Sequence, residues 1–468
     1  MKFEKVAAHS YVFRLIAALC DFIGVLIIAY FYSSDLVGGY YLTVSVISVG
    51  VLFSDLGLSE AVRKRLSERE TKETLLGTSI IIRLLLTILI VLAIIKMSNF
   101  IYNFIGFEST LSILALMLTI RSFREFIFAV LDGEHNVWAS SFSRFIASIS
   151  KLTFWIISIF LNFGFIGLLA GLILSDICSI LFAQYFVVTR PSTPTFKSAR
   201  SIYKYAKFSV FNTFRMSAWV WTDTLVLGFF VANSYIGVYE TVWRITGVVF
   251  LAASTAGNVL FPEVSELAYK EKLEKLQPIF EKGIYLAGLI SVPGVIGVIL
   301  IGEEILEFFG HEYTIGYYIF VILMFSRLVH SYEIIISKFI TGLDRPDLDF
   351  RSNLAFITAN ISFNVIFVYY IGWIGASIAT LTAIIIKYTI NNYLFTNIIE
   401  LEMPKTEIRN QLFAGSVMGG WIVIINYFTS DGALITAGVL FTSVIIYTLV
   451  IFKISDRFRT MFWDIMHG

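Results

Sequence analysis

The feature that most constrains this chain is a succession of apolar stretches, each about 20 residues long, which runs from near its start to near its end. A helix needs roughly 20 predominantly apolar residues to cross a bilayer. Only 15% of the residues are charged and 57% are hydrophobic, whereas soluble domains have about 25% charged and 45–50% apolar residues. The sequence therefore predicts an all-α integral membrane protein.

About fourteen transmembrane helices are predicted, separated by short polar links. The first apolar stretch is long enough to span the bilayer and has no small-residue cleavage site after a short core, so we expect no cleaved signal peptide. The predicted spans are 11–32, 36–57, 77–97, 110–131, 143–162, 164–187, 207–231, 235–260, 283–302, 315–339, 350–371, 373–397, 410–428 and 433–452.

Basic residues predict the orientation. About 23 Lys and Arg residues, including Lys2, Arg63 and Arg69, lie in alternate loops, while the opposite loops hold Lys96 alone. Because Lys and Arg accumulate in cytoplasmic loops, both termini are predicted in the cytoplasm of a cell-membrane protein. The inner loops 58–76 and 261–282 alternate charged and apolar residues, which fits either amphipathic surface helices or solvated connectors.

An internal repeat is indicated at an offset of about 200–210 residues. Val37-Gly38-Gly39-Tyr40 opens the second span and Ile236-Gly237-Val238-Tyr239 opens the eighth. Gly164-Phe165-Ile166-Gly167 opens the sixth and Gly372-Trp373-Ile374-Gly375 opens the twelfth. These matches occur in order and at equivalent points of the topology, so we expect two related halves.

The repeat predicts the domain organisation. An offset of six spans keeps both halves in one orientation, as in parallel-repeat transporters, which bind substrate between repeats. We expect a six-helix lobe at 1–192, a second at 193–400, and two additional helices with a cytoplasmic tail at 401–468.

Charged residues within the predicted spans indicate the kind of substrate, because such residues are costly in a membrane and usually face a cavity or a partner. Basic ones outnumber acidic ones by roughly eleven to seven. This surplus favours an anionic substrate with phosphate groups, which arginine binds through a fixed fork of donors. The candidate substrate-binding residues are Arg121, Arg124, Lys151, Arg215 and Arg244.

Two acidic residues are candidates for coupling transport to H⁺ or Na⁺, namely Asp21 and Asp223. A carboxyl group in a partly desolvated cavity can carry a proton or hold a cation. The alternative is static pairing within one helix, with Arg14 seven residues from Asp21 and Arg215 eight residues from Asp223.

Structural interpretations also exist for other charges. Arg121 and Glu125 are four residues apart and could pair on one helix face. Asp55, Arg83 and Arg144 lie near the ends of their predicted spans, where long side chains can reach the interface.

Enzyme and cofactor motifs are not found. The five histidines are scattered, Cys20 and Cys178 lie alone in apolar stretches, and no phosphate-binding loop or zinc motif occurs, so we expect no metal, no cofactor and no enzymatic activity. Asp347-Leu348-Asp349 has no nucleotide-binding domain beside it and is interpreted as a chance match. The net charge of +1 gives no indication of a nucleic-acid partner.

The sequence resembles the polysaccharide-type flippases. The resemblance is carried by Gly38-Gly39-Tyr40, by the stretch Asp55–Glu68 (DLGLSEAVRKRLSE) and by Leu343-Asp344-Arg345-Pro346. It is strongest over 38–68, where the chain is similar to archaeal members. These flippases share a superfamily with multidrug and toxin extrusion transporters and peptidoglycan lipid flippases.

The resemblance implies two six-helix lobes around a central cavity and a polyprenyl-phosphate-linked glycan as substrate. The glycan and phosphate would cross in the cavity while the lipid tail stays among the membrane lipids. A flippase acting by alternating access is thus the first hypothesis. Alternatives are a drug or cation antiporter of the same fold, which would need an acidic cavity, and a membrane enzyme of glycan assembly.

Overall fold

The computed structural model describes residues 3–68, 72–107, 110–428 and 432–467; Lys2 and Arg69 of the predicted basic set lie outside them. Within these residues the regular elements are all helical, in agreement with the predicted all-α class. Two 3-10 helices, Leu273–Lys275 and His311–Gly316, accompany seventeen α-helices. The α-helices are α1 (Phe3–Phe31), α2 (Ser34–Asp55), α3 (Leu58–Glu68), α4 (Lys72–Lys96), α5 (Ser98–Ile105), α6 (Thr110–Gly133), α7 (Val137–Phe160), α8 (Gly164–Tyr185), α9 (Phe196–Phe230), α10 (Asn233–Tyr269), α11 (Leu276–Glu307), α12 (Tyr317–Gly342), α13 (Pro346–Ile371), α14 (Ile374–Thr396), α15 (Lys405–Phe428), α16 (Ala433–Ile454) and α17 (Asp456–His467).

Twelve of the described helices are long and apolar enough to cross a membrane, so the chain is a multi-pass membrane protein. The predicted count of fourteen is not confirmed. The two remaining predicted spans lie on α6 and α9, which form helices of 24 and 35 residues. Both are more polar: α6 contains Arg121, Arg124 and Glu125, and the first half of α9 contains four basic residues.

Several helix boundaries differ from the predicted spans. The helix α9 begins at Phe196, and α10 continues through Pro262 to Tyr269. The predicted amphipathic helix at 261–282 is therefore wrong, because this stretch is divided between the end of α10, a 3-10 turn and the start of α11. The other predicted surface helix exists as α3, whose buried residues Leu58, Ala61, Val62 and Leu66 form one apolar face.

The described chain divides into two compact units, Met1–Glu240 and Thr241–Gly468. In the first unit, α7 packs against α1 and α8, α6 packs against α8, and α2 packs against α9. The helix α4 exposes Leu85, Ile88, Leu89 and Leu92 along one side, as expected for a surface that faces lipid.

Loops that the charge pattern places in the cytoplasm meet at one end of the first unit. The backbone N–H of Ser192 donates to the carbonyl of Glu73 at 3.0 Å. The Glu134 carboxylate accepts from the backbone N–H groups of Val188 and Thr189 at 3.0 and 2.7 Å. These bonds join the start of α4, the end of α6 and the segment that follows α8.

The second unit shows a similar gathering of loops. The Gln277 side chain donates to the carbonyl of Glu402 and accepts from its N–H, both at 2.9 Å. The Arg457 guanidinium contacts the Glu281 carboxylate at 2.5 Å. The start of α11, the segment after α14 and the C-terminal α17 therefore lie at one end of this unit.

Local geometry recurs between the two halves of the sequence. His135, after α6, has a φ of 60°, and Asp344, after α12, has the same φ 209 residues later. Gly164, the first residue of α8, and Gly372, two residues before α14, have φ of 57° and 75°. Glycine adopts this left-handed region without steric cost. This recurrence supports the predicted internal repeat.

Candidate functional site

A cavity of about 330 Å³ lies inside the first unit, between α1, α6, α7 and α8. It is called the cationic cavity here. Helix α1 contributes Arg14 and Asp21, which are two turns apart, and α7 contributes Arg144 and Lys151 with the same spacing. Residues seven apart lie on nearly the same helix face, so each helix presents a charged stripe to the cavity.

The charge of this cavity is strongly positive. Its lining contains five cationic side chains and two carboxylates. Charges in a span are stable only where a cavity or a partner compensates them. The cationic side chains are Arg14, Arg121, Arg124, Arg144 and Lys151, and the carboxylates are Asp21 and Asp176.

The two carboxylates are already paired with cations. Lys151 Nζ lies 2.8 Å from Asp21 Oδ1, which joins α7 to α1. Asp176 on α8 forms an ion pair with Arg124 and lies 3.9 Å from Arg121 Nη1. These pairs join the four helices around the cavity and use all the negative charge of its lining.

The remaining cations of the lining are Arg14 and Arg144. Among the described residues, neither has a carboxylate within the 4.0 Å of an ion pair. The Arg14 Nε donates to the Ser141 hydroxyl at 3.3 Å. The Arg144 guanidinium lies 4.4 Å from the centre of the Phe128 ring, a cation–π contact that brings no carboxylate to it. Arginine stays protonated, so the cavity offers two guanidinium groups to an anion.

A second cavity, of about 390 Å³, lies between α2, α3, α6 and α9. It is called the polar cavity here. Glu125 lines it, while the preceding residue Arg124 lines the cationic cavity. The Arg124 Nη2 contacts Glu125 Oε1 at 2.5 Å. The two cavities therefore meet α6 at adjacent residues, with this ion pair between them.

A buried ion pair fixes the base of the polar cavity. Asp55, which lines the cavity, pairs with Arg83, whose side chain is fully buried. Arg83 also donates to the carbonyl of Ser122 from Nε at 3.1 Å and Nη2 at 2.6 Å. The expectation that Asp55 and Arg83 reach the interface is thus wrong, because they pair with each other inside the unit.

Four of the seven predicted site residues meet in the cationic cavity: Arg121, Arg124, Lys151 and Asp21. The other three lie elsewhere. Arg215 and Asp223 are on α9, and Arg244 is on the part of α10 that belongs to the second unit. Their roles remain predictions.

Among the described residues, two of the pairings considered within helices, Arg14 with Asp21 and Arg121 with Glu125, are replaced by other ion pairs. Asp21 pairs with Lys151 of α7 rather than with Arg14. Asp223 accepts a hydrogen bond from the Tyr239 hydroxyl of α10. Glu125 pairs with its neighbour Arg124, while Arg121 is directed towards Asp176. The ion pair of Asp21 therefore joins two helices, whereas that of Glu125 stays within α6.

Sequence reasoning missed Arg14, Arg144 and Asp176 as parts of this site. Arg144 was interpreted as an interfacial residue because it lies near the start of its predicted span, 143–162. The helix α7, however, begins at Val137, six residues before that span. The spacing of seven between Arg144 and Lys151, equal to that of Arg14 and Asp21, is the signal that could have identified it.

The second unit contains a buried ion pair at a related position. Lys387 Nζ on α14 lies 3.0 Å from Glu333 Oε1 on α12, and Asn391 donates to the same oxygen at 2.7 Å. In the first unit the corresponding pair joins Arg124 of α6 to Asp176 of α8. The positive residue is on the earlier helix in one unit and on the later helix in the other.

The fold and the site define a polytopic membrane protein with a cationic cavity inside one helical unit. Residues 27–314 match the family described as polysaccharide biosynthesis protein, and the chain belongs to that family.

Two curated relatives come from Haloferax volcanii. The probable low-salt glycan biosynthesis flippase Agl15 is 24% identical over 442 residues, which cover 94% of this chain and 90% of the relative. The probable flippase AglR is 28% identical over 417 residues and 86% of each chain.

Solved structures share the fold. The lipid II flippase MurJ, in an inward closed conformation, matches with a TM-score of 0.78 at 16% identity, covering 99% of both chains. An inward-facing multidrug resistance MATE family transporter matches with a TM-score of 0.65 at 17% identity, covering 82% of this chain and 95% of the transporter. The predicted resemblance to polysaccharide biosynthesis proteins is confirmed by the family match.

Proposed function

We propose that this protein is a flippase that moves a lipid-linked oligosaccharide or polysaccharide precursor from the inner to the outer leaflet of the cell membrane. Membership of the polysaccharide biosynthesis family and the names of the two Haloferax relatives support this function. The relatives are described as flippases, which supports a transporter rather than an enzyme.

The observation that carries the proposal is the pair of arginines in the cationic cavity that, in the described part of the chain, have no carboxylate within ion-pair distance. Arg14 and Arg144 face the same cavity, while Asp21 and Asp176 are paired with other cations. Guanidinium groups bind phosphate through charge-assisted, often bidentate, hydrogen bonds. A phosphate or pyrophosphate head group would supply the missing negative charge, and the polyprenyl chain would remain among the membrane lipids.

The other cations would adjust to the substrate. Arg121 is only loosely paired, at 3.9 Å from Asp176, and can turn towards a phosphate at little cost. Lys151 is bound to Asp21, so protonation of Asp21, or its capture of Na⁺, would release the ammonium group to the substrate. This exchange is the proposed route of ion coupling. Arg215, Arg244 and Asp223 are retained as further contacts of the transport path.

Alternating access follows from differential binding. A ligand shifts a conformational equilibrium only if it binds the two states with different affinities. Arg14, Lys151 and Asp176 lie on three different helices around one cavity, so relative movement of these helices would change the number of cations that contact one phosphate.

Both termini are proposed to lie in the cytoplasm. The loops that meet at one end of the first unit are those rich in Lys and Arg. Such loops are retained on the cytoplasmic side of a cell membrane.

The alternative, a drug or cation antiporter of the same fold, draws support from the likeness to the MATE transporter. That likeness concerns the fold. Five cationic side chains around one cavity would repel a cationic drug, so the charge of the site favours the flippase.

Mass spectrometry of lipids from cells lacking the gene tests the proposal. A flippase acts after synthesis of its substrate, so the complete lipid-linked glycan should accumulate while glycan at the cell surface falls. A truncated glycan would instead indicate an enzyme of assembly. An unchanged lipid profile, in cells without a second flippase gene, would contradict the proposal.

A further inference from the structure

We infer that the polar cavity is a subsite for a sugar ring of the lipid-linked substrate, placed next to the phosphate-binding cationic cavity along α6. This inference rests on the proposed function and assigns a second part of the substrate to a second place in the same unit. It is carried by the shape, the hydrogen-bonding character and the charge balance of the polar cavity.

The cavity is formed by two matching helix faces. Ser48, Leu52 and Asp55 project from α2, and Thr213 and Ser217 project from α9. On each helix these residues recur at spacings of three, four or seven, which place them on one face. Its volume of about 390 Å³ falls within the roughly 300–1,000 Å³ typical of ligand pockets.

The polar atoms of the cavity are mainly hydrogen-bond acceptors. The Ser48 hydroxyl donates its proton to the carbonyl of Val44 at 2.8 Å, and the Thr213 hydroxyl donates to that of Ser209 at 3.3 Å. A hydroxyl oxygen that has donated its proton still has lone pairs to accept with. These oxygens therefore suit a ligand rich in O–H or N–H donors, as a sugar is.

The carboxylates add acceptors without adding net charge. Glu60 Oε2 is 2.9 Å from Arg63 Nη1, Glu125 Oε1 is 2.5 Å from Arg124 Nη2, and Asp55 is paired with Arg83. Each carboxylate thus has an arginine partner, so the cavity does not require a cation for neutrality. A neutral polyhydroxylated ligand fits this balance better than a metal ion or an ammonium group.

The lining also contains one aromatic ring and several apolar side chains. Trp221 and Met216 of α9 face the cavity with Val51 of α2. Tryptophan combines a large apolar face with one polar group, and the apolar C–H face of a sugar ring can pack on such a surface while its hydroxyls reach the acceptors.

The position of the cavity matches the chemistry of the substrate. In a lipid-linked glycan the first sugar is bonded directly to phosphate. The two cavities are lined by consecutive residues of α6, Arg124 and Glu125. A head group that crosses this boundary would place phosphate with the arginines and the first sugar with the acceptors.

The test compares two probes on the purified full-length protein. The probes are polyprenyl pyrophosphate without sugar and the same lipid carrying one N-acetylhexosamine. Binding is measured for the wild type, Trp221→Ala, the double variant Ser48→Ala/Thr213→Val, and Glu60→Gln. Glu68→Gln is the matched control for Glu60→Gln, because Glu68 lies on the same helix α3 and pairs with exposed Lys64 at 2.8 Å.

The polar-cavity variants should each weaken binding of the sugar-bearing probe about 5- to 20-fold. Their binding of the sugar-free probe should stay at the wild-type value. The control variant should bind both probes as the wild type does. The serine–threonine double variant removes only two oxygens, so it tests the inference even if Trp221→Ala does not fold. Equal losses for both probes, or no loss for either, would overturn the inference.

Two further measurements test the phosphate assignment separately from the sugar subsite and test whether the polar cavity binds a cation instead of a sugar. Arg144→Gln should weaken both probes; if it weakens neither while the polar-cavity variants retain their selective effect, the phosphate assignment fails and the sugar subsite stands. Any Na⁺ dependence of sugar-probe binding, measured against N-methylglucamine buffer, should be the same in the wild type and in Glu60→Gln, because Asp21, the proposed coupling residue, lines the cationic cavity. A loss without Na⁺ that Glu60→Gln abolishes would show a cation site in the polar cavity and overturn the sugar assignment.

Discussion

Gly38 of α2 and Gly237 of α10 each lie directly against the backbone at the start of the other helix. A side chain at Gly38 would overlap the carbonyl oxygen of Asn233, and one at Gly237 would overlap that of Ser34. The two contacts are related by the same offset of 199 residues. In the predicted internal repeat, Gly38 and Gly237 occupy equivalent positions.

Replacing either glycine by alanine should therefore destabilise the protein. The added methyl group would meet backbone, which cannot rotate away, and overpacking of this kind costs about 1–3 kcal/mol. We expect Gly38→Ala and Gly237→Ala to lower the melting temperature measured by size-exclusion chromatography of heated samples. Gly420→Ala is the control, because no atom lies within 4 Å of its added methyl. Equal melting temperatures for all three would contradict the close approach.

The ion pair between Asp55 and Arg83 should be essential for folding. The Arg83 side chain is fully buried and that of Asp55 is 8% exposed, and removal of one partner from a buried pair costs about 3–5 kcal/mol. Asp55→Asn should thus lower the yield of monodisperse protein strongly. Asp347→Asn, which disrupts an exposed pair with Arg345, should have little effect. A normal yield and melting temperature for Asp55→Asn would show that the pair is dispensable.

The buried ion pair of the second unit, between Glu333 of α12 and Lys387 of α14, can be tested by exchanging its two charges. Glu333→Lys and Lys387→Glu should each be poorly folded, because two like charges would then be buried together. The double variant restores an ion pair with the order found between Arg124 and Asp176, so it should recover much of the lost melting temperature. If the double variant is as unstable as the single variants, the residues around this pair accept the charges only in their native positions.

The orientation can be measured by cysteine labelling. In a background with Cys20→Ser and Cys178→Ser, a membrane-impermeant maleimide should label Glu303→Cys in intact cells. It should label Glu68→Cys only after permeabilisation, because α3 lies among the basic loops that are predicted to be cytoplasmic. Labelling of Glu68→Cys in intact cells, with Glu303→Cys protected, would reverse the assignment.

Sequence alone predicted the fold class because hydrophobic length and basic loops are strong, local signals. The apolar character of α8 or α16 leaves few alternatives to a membrane helix. The count of spans was less secure, because α6 carries the charges of the cavity and its hydropathy falls as a result. The residues that make the site functional therefore make its helix harder to recognise.

The site was predicted in part for a related reason. Counting charges within spans identified Arg121, Arg124, Lys151 and Asp21, which meet in the cationic cavity. Pairing could not be predicted, because Asp21 and Lys151 are 130 residues apart and meet only through the packing of α1 on α7. The polar cavity gave no sequence signal, since its serine and threonine residues are common in membrane helices.

The central claim is that uncompensated arginines in the cationic cavity bind the phosphate of a lipid-linked glycan during its translocation. The most direct measurement is the flipping rate of a fluorescent polyprenyl-pyrophosphate glycan in proteoliposomes containing the wild type, Arg14→Gln/Arg144→Gln, or Arg345→Gln as an exposed control. Each charged hydrogen bond contributes about 1.5–3 kcal/mol, so the double variant should flip at least about 100-fold more slowly while the control matches the wild type. Wild-type flipping by a folded double variant would contradict the account.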